Sequence, residues 1–245
     1  MPKFEAATGD DILSLSTAAG FFTFPGMVVF AVATRNAHKI AEIRSILGSS
    51  WAYWTLDRFP AAPHTVEDAG TFAGNASKKA LQLARWILSS RSSATESGPC
   101  FVLADDSGLE VDALHGEPGV HSARFAAMDV ARSRNSPDAD NNAKLLHLLR
   151  DVPTEKRTAR FRCVIALVEV NLQSAVRNPH LFEGTCEGRI GFEPRGNGGF
   201  GYDPLFTPAG YERTFAELGE EVKNQLSHRA RALAQAKAWL ENVKR

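Results

Sequence analysis

The sequence has little cysteine, no surplus of either charge and no apolar run long enough to span a membrane. Its three cysteines, Cys100, Cys163 and Cys186, are far apart and odd in number, and no Cys-x-x-Cys pair exists. Reduced thiols in a cytoplasmic protein are the simplest reading. Lys+Arg and Asp+Glu both number 28. Without a basic surplus, a polynucleotide backbone is a poor partner, although a local cluster can still hold a small anion. The run Ala18–Ala33 is broken by Pro25 and Gly26 and is too short to cross a bilayer. Acidic Glu5, Asp10 and Asp11 stand before it, where a secretory leader carries basic residues. Residues 1–26 therefore read as a tail and a candidate for disorder, with Met27 as an alternative start. No repeat, low-complexity tract or linker divides the rest, so residues 27–245 are expected to form a single domain. The composition is that of an ordinary soluble globular protein.

What is present centres on Leu103-Ala104-Asp105-Asp106-Ser107-Gly108-Leu109. The apolar run Cys100–Ala104 has the length and residue types of a buried strand. Two carboxylates follow at once, the position where ligands of open α/β sheets sit, beyond the carboxyl end of a strand. Two adjoining carboxylates repel unless a proton or cation lies between them, and a hard ion such as Mg2+ takes oxygen ligands. The plain alternative is an acidic turn after an edge strand.

Val28–Ala33 reads as the first strand, followed by a helix capped by Asn36 with Ile40, Ile43, Ile46 and Leu47 as its apolar face. Lys39 stands in that helix's first turn, where the dipole disfavours a cation and where free N–H groups attract phosphate. A solvated lysine without a role is the alternative. The same mismatch recurs at the last helix, where Ser227 is the expected cap and His228 and Arg229 follow. The repeat hints that both helix ends face one polar ligand. Residues 48–66 read as irregular. Glu67 and Asp68 precede a helix with the buried stripe Phe72, Ala76, Ala80, Leu83 and Ile87, beside which Asn75 and Lys79 share a face. Glu67 could reach a metal or simply sit well near a helix start. Ser89–Pro99 reads as a connecting loop and 132–140 as a surface loop. A helix over Asp140–Leu149 and a long strand over Thr158–Val170 follow. Leu181–Gly184 and Cys186–Phe192 suit a hairpin. In the glycine-rich stretch 194–204, Phe200 could stack on a planar base or belong to a turn with core aromatics. Thr214 and Glu217 fit a capping box.

Together these stretches resemble the inosine triphosphate pyrophosphatases, the Ham1-like family, from about Val28 to Trp239. The resemblance rests on Thr34-x-Asn36-x-x-Lys39, Glu67, Asn75-Ala76-x-x-Lys79-Ala80, Ala104–Leu109, Ser122–Ala126, Gly199–Pro204, and Lys223-Asn224 with Ser227-His228-Arg229. Each motif is short, and their order and spacing together are specific. The resemblance implies an α/β fold with an elongated, long mixed β-sheet and flanking helices forming two lobes around a central substrate cleft. It implies a homodimer and the hydrolysis of inosine, deoxyinosine and xanthosine triphosphates to the monophosphate and pyrophosphate, with Mg2+. Thr34, Asn36 and Lys39 would hold the triphosphate, Ser107 would contact the phosphates, and Arg35, Ala37, His38 and Gly201 would also bind the substrate. Phe200 would stack on the purine, and Tyr202, Asp203, Lys223, His228 and Arg229 would line its pocket. Glu67, Asp106 and Asp105 would hold the metal, with Asp106 as the base that activates water. Three rivals stand beside this reading: a pyrophosphatase for other modified nucleotides, a phosphatase with an aspartyl-phosphate intermediate, and a nucleotide-binding module without turnover.

Overall fold

Apolar alternation along the longest strands decides which side chains face which helix. In the computed structural model, which describes residues 28–90, 101–130, 135–171 and 176–243, the elements run β1 (Val29–Val32), α1 (Ala37–Leu47), β2 (Ala52–Trp54), α2 (Phe72–Ser90), β3 (Phe101–Val111), α3 (Asp138–Leu148), β4 (Thr158–Glu169), β5 (His180–Ile190), β6 (Phe206–Pro208), α4 (Phe215–Leu226) and α5 (His228–Val243). The tail 1–26, Cys100, nearly all of the Ser/Arg loop 89–99 and part of the loop 132–140 lie outside the described residues. The strands form one six-stranded sheet in the order β2-β1-β3-β4-β5-β6. β1 pairs parallel with β2 and β3, and the remaining pairs are antiparallel. The expected α/β fold with a mixed sheet and flanking helices is thus present.

Odd-numbered residues of β3 and β4 share one face. There Phe101, Leu103, Ile165 and Leu167 pack with Ile43 and Leu47 of α1 and Leu233, Ala236 and Leu240 of α5. On the opposite face Val102, Ala104, Val164, Ala166 and Val168 meet the α2 stripe Phe72, Ala76, Ala80, Leu83 and Ile87. A third core lies further along the odd face, where Leu109, Val111, Ala159 and Phe161 pack against Leu145 and Leu149 beside α3's end and Phe206 and Phe215. On the even face at that end, Arg160 and Arg162 instead pair with Glu110, Asp112, Glu183 and Glu187. β4 is therefore covered on both faces at one end and bears charges on one face at the other.

Three expectations need correction. β3 does not end before the acidic pair but continues to Val111, because β4 supplies a partner for each of its residues and Leu109 and Val111 are buried. A continuous ladder outweighs the local polarity of Asp105 and Asp106. The hairpin expected over 181–192 is one strand, β5, paired with β4 from His180 to Arg189. Gly184 is not a turn residue; a Cβ there would lie 2.0 Å from the carbonyl oxygen of His228, so glycine lets α5 dock on the sheet. Within the stretch read as irregular, Ala52–Trp54 adds a short parallel strand.

The site follows from unequal strand lengths. β1 stops at Val32, opposite Leu103, so the β1-facing edge of β3 is left open at Asp105 and beyond. It is closed again where Leu109 N–H donates to Ser122 Oγ at 2.9 Å. The ligand position of open sheets is thus beyond the carboxyl end of β1, against the middle of β3.

Candidate active site

Asp105 and Asp106 project to opposite faces of the sheet, as successive strand residues must. The expectation that they adjoin and need a shared cation is overturned by that register.

Asp105 is 1% exposed and heads a buried chain of alternating charge. Asn36 caps α1, its Oδ1 accepting Lys39 N–H at 3.1 Å, and this places the Lys39 ammonium on Asp105. Arg229, in the first turn of α5, donates from Nε to Asp105 at 2.8 Å. It also bonds Ser107 Oγ at 2.8 Å and Glu42 of α1. Lys223 of α4 bonds Glu42 at 2.7 Å and Asp203 at 2.5 Å, and Asp203 accepts Phe200 N–H at 2.9 Å. The chain Lys39–Asp105–Arg229–Glu42–Lys223–Asp203 therefore joins the phosphate-type helix end to the glycine-rich loop. Burial works against ionisation of Asp105, yet Arg229 and Lys39 hold its pKa well below the ordinary value. At Glu42, burial is likewise overruled by Arg229 and Lys223. At Asp203 burial wins over Lys223 and raises the pKa. Cys163 donates Sγ–H to Asp105 at 3.1 Å, and burial followed by that carboxylate pushes its thiol well up.

Asp106 faces the end of α2. Lys79 Nζ donates to it at 2.8 Å and lies 3.3 Å from Glu67; Asn75 Nδ2 donates to it at 3.3 Å. Asn75 and Lys79 thus do share a working face, and Asn75 also ties down the approach to α2 by accepting Ala69 N–H at 3.0 Å. Burial pushes the Asp106 pKa up to about 6, against the pull of Lys79 and Lys39 and with help from the Glu67 charge. Burial opposes ionisation of Glu67 too, but Lys79 and a hydrogen bond with Asp106 bring its pKa down.

On the Asp105 side a cavity is lined by Lys39, Ser107, Phe161, Phe200, His228 and Arg229, among others. Asn36, Gly201, Tyr202, Asp203 and Lys223 also reach it, whereas Thr34, Arg35, Ala37, His38 and the three acidic residues Glu67, Asp105 and Asp106 are not in its lining. Thr34 instead accepts Asn36 N–H at 3.2 Å, shaping the entry to α1. His38 stacks on Phe200, ring centroids 5.1 Å apart and planes 13° apart. Lys223 Nζ stands 4.3 Å from the centre of the same ring. His228 stacks on Phe161 at 4.8 Å. Burial and then Arg229 and Lys223 keep its pKa well below 6.5, so its imidazole is neutral, and its Nδ1 has no hydrogen-bond partner among the described residues. Tyr202 donates its hydroxyl to the Ser122 carbonyl at 2.9 Å.

Sequence reasoning missed Glu42, Cys163, Phe161 and the pairing of Lys79 with Asp106 and Glu67. Glu42 had a signal, a carboxylate one helical turn from Lys39 beside the apolar stripe. Cys163 and Phe161 had none, because their alternation in β4 reads as plain core.

The sequence profile described as the Ham1 family matches residues 30–239. The chain belongs to the Ham1 family. Among its curated relatives, the dITP/XTP pyrophosphatase of Desulforamulus reducens is 48% identical over 213 residues, covering 86% of this chain and 95% of the relative. That of Geobacter sulfurreducens is 46% identical over 215 residues, covering 87% and 97%. The structure of a HAM1 protein from Coxiella burnetii matches with a TM-score of 0.70 at 35% identity, over 88% of this chain and 100% of that one. The Ham1 match spans all the motifs on which the resemblance was based, and its fold is the mixed α/β sheet described above.

Proposed function

We propose that this Ham1-family chain is a nucleoside triphosphate pyrophosphatase that hydrolyses deaminated purine triphosphates, those of inosine, deoxyinosine and xanthosine, to the monophosphate and pyrophosphate. Relatives that share 43–48% identity with it bear the name dITP/XTP pyrophosphatase. The observation that carries the reading is the cavity lined together by the lysine-bearing start of α1, Ser107, Phe200 and His228.

Lys39, the first N–H groups of α1 and the Ser107 hydroxyl bind the triphosphate, an anion suited to a helix N-terminus. Lys39 must then be shared between the phosphates and Asp105, whose charge Arg229 continues to balance. Glu67 and Asp106 fit a hard cation. Both donors are carboxylate oxygens on one face, close enough to hydrogen-bond, and among the described residues no third Asp, Glu, His or Cys completes a cluster. Mg2+ suits such a set, since it keeps several waters and substrate oxygens as ligands. When bound it neutralises phosphate charge and lowers the pKa of water. Asp105, saturated by Arg229, Lys39 and Cys163, is left as the organiser of the basic side. Asp106, mostly ionised above pH 6, takes the proton of the attacking water, and Lys79 holds its carboxylate in place.

The purine stacks on the face of Phe200 not covered by His38. Hypoxanthine and xanthine carry an acceptor at position 6 where adenine carries an amino group. Arg229, bonded to Asp105, Glu42 and Ser107, and the neutral His228 beside it both line the cavity, and one or the other is the donor for that acceptor. A mispaired buried donor costs about 1–3 kcal/mol, which is roughly tenfold to a hundredfold in selectivity. The family reading also carries a homodimer and a cytoplasmic location, and no helix among the described residues is long and apolar enough to cross a membrane. Pyrophosphate release from inosine, xanthosine, guanosine and adenosine triphosphates, with Mg2+ and with chelator, tests the proposal. Mg2+-dependent release from the first two is expected; no release from any of the four overturns it.

A further inference from the structure

The loop that carries Phe200 is gripped at its next residue by a helix not assigned any part in the site. Asp138 and Asn142 are four apart on α3 and so lie on one face. Gly201 N–H donates to Asp138 Oδ2 at 2.6 Å, and Asn142 Nδ2 donates to the Gly201 carbonyl at 3.0 Å. Both polar groups of one residue are thus held by two side chains of one helix. We propose that Asp138 and Asn142 are positioning residues for base recognition, acting through Gly201 on Phe200. The inference rests on the reading of Phe200 as the base-stacking ring.

Gly201 stands at φ 62°, in the left-handed region, and has no side chain with which to anchor itself. It lies in no strand, so no ladder holds its peptide groups. The other supports of Phe200 come from different elements. Its own N–H is bonded to Asp203, which α4 holds through Lys223, and its ring face is covered by His38 of α1. The α3 grip therefore adds a third point, and three points define the tilt of the ring. α3 is a firm base for it. Leu145 is fully buried in the third core, and Asn141 Oδ1 accepts Ala126 N–H at 2.9 Å. Asp138 also lines the cavity. Among the described residues no hydrogen bond or ion pair joins α3 to Lys39 or Ser107, so the grip acts on the loop of Phe200 and not on those two groups.

The test compares inosine triphosphate, as substrate with Mg2+, with inorganic tripolyphosphate, a competing ligand that has no base. The variants are Asn142→Ala, Asp138→Ala, Asp138→Asn, Phe200→Ala and the double variant Asn142→Ala/Phe200→Ala. For Asn142→Ala, which leaves the Gly201 carbonyl without its partner, KM for inosine triphosphate is expected to rise about tenfold, one hydrogen bond's worth. Asp138→Ala, at an exposed bond, raises it about threefold, and Asp138→Asn, which keeps an acceptor oxygen, restores it. Inhibition by tripolyphosphate stays within about twofold of the unaltered protein, and the double variant is no worse than Phe200→Ala, because the coupled pair is not additive. Parallel weakening of tripolyphosphate, additivity with Phe200→Ala, or an unchanged KM each overturns the inference. If Asn142→Ala fails to fold, the exposed Asp138 pair carries the same comparison. Unaltered protein that does not hydrolyse inosine triphosphate sinks the proposed function and the clamp with it; hydrolysis that is indifferent to the clamp variants sinks the clamp alone.

Discussion

Asp105 and Asp106 are neighbours in the chain and opposites in environment. Asp105 faces α1 and α5, where two cations and a thiol saturate it and its pKa falls. Asp106 faces the end of α2, 5% exposed, where one lysine serves two carboxylates and its pKa rises to about 6. Identical side chains, set one residue apart in a strand, become a fully paired anion on one face and, on the proposed function, the proton acceptor on the other. The difference comes from the count of cations on each side, since burial is similar on both. An active-site carboxylate works by being under-compensated, and a structural one by being fully paired.

Exchanging each carboxylate for its amide tests that division most directly. Asp106→Asn is expected to lower kcat by about 10²–10⁴, the usual weight of a general base, with no loss of thermal stability. A variant with normal turnover would remove Asp106 from the chemistry. Asp105→Asn should instead cost about 3–5 kcal/mol in denaturant unfolding, the cost of leaving buried cations without their partner. Unfolding at the unaltered midpoint would erase the contrast between the two faces. The Asp105 side also depends on α5 reaching the sheet. Gly184→Ala places a methyl against the His228 carbonyl, and about 1–3 kcal/mol of destabilisation is expected from such crowding. Circular dichroism melts would detect it, and a neutral outcome would mean that α5 shifts freely.

The smallest effect is in the pH response. The His228 pKa is depressed in the folded protein, so the unfolded chain takes up a proton near pH 6.5 and the folded one does not. Stability from this group is complete above that pH and is lost as pH falls, by about 1.4 kcal/mol per pH unit at most. Asp106 has the reverse sign. Its raised pKa makes the folded, metal-free protein hold a proton longer, and that contribution is lost as pH rises through about 6. Melting temperatures of His228→Gln and Asp106→Asn between pH 5 and 8, with chelator, should therefore change the slope in opposite directions. Equal slopes in the two variants would show that the faces are not electrostatically distinct.

Much of this was legible in the chain. Asn36 capping a turn that contains Lys39, the Thr214–Glu217 box and the α2 stripe are local patterns, and each appears as read. The cations in the first turns of α1 and α5 were read as a sign of one polar ligand; within the protein Lys39 and Arg229 both bond Asp105, and Arg229 bonds Glu42 as well. The end of β3 was not legible. Two aspartates and a glycine look like a turn, and only β4, more than fifty residues later, supplies the partner that carries the strand through them. The stretch 181–192 likewise read as two arms of a hairpin, because its unbroken pairing is supplied only by β4.

The sequence by itself determined the family, the helix starts that hold cations, and many of the side chains gathered around the cavity. These depend on residue identity and on spacings of a few residues, where cap chemistry and periodicity act. Tertiary structure alone decided that the two aspartates part to opposite faces, that Arg229 and Glu42 are bound within the protein, and that α3 reaches Gly201. Those outcomes depend on which strand ends first and which elements meet, and that is set by packing between residues far apart in the chain.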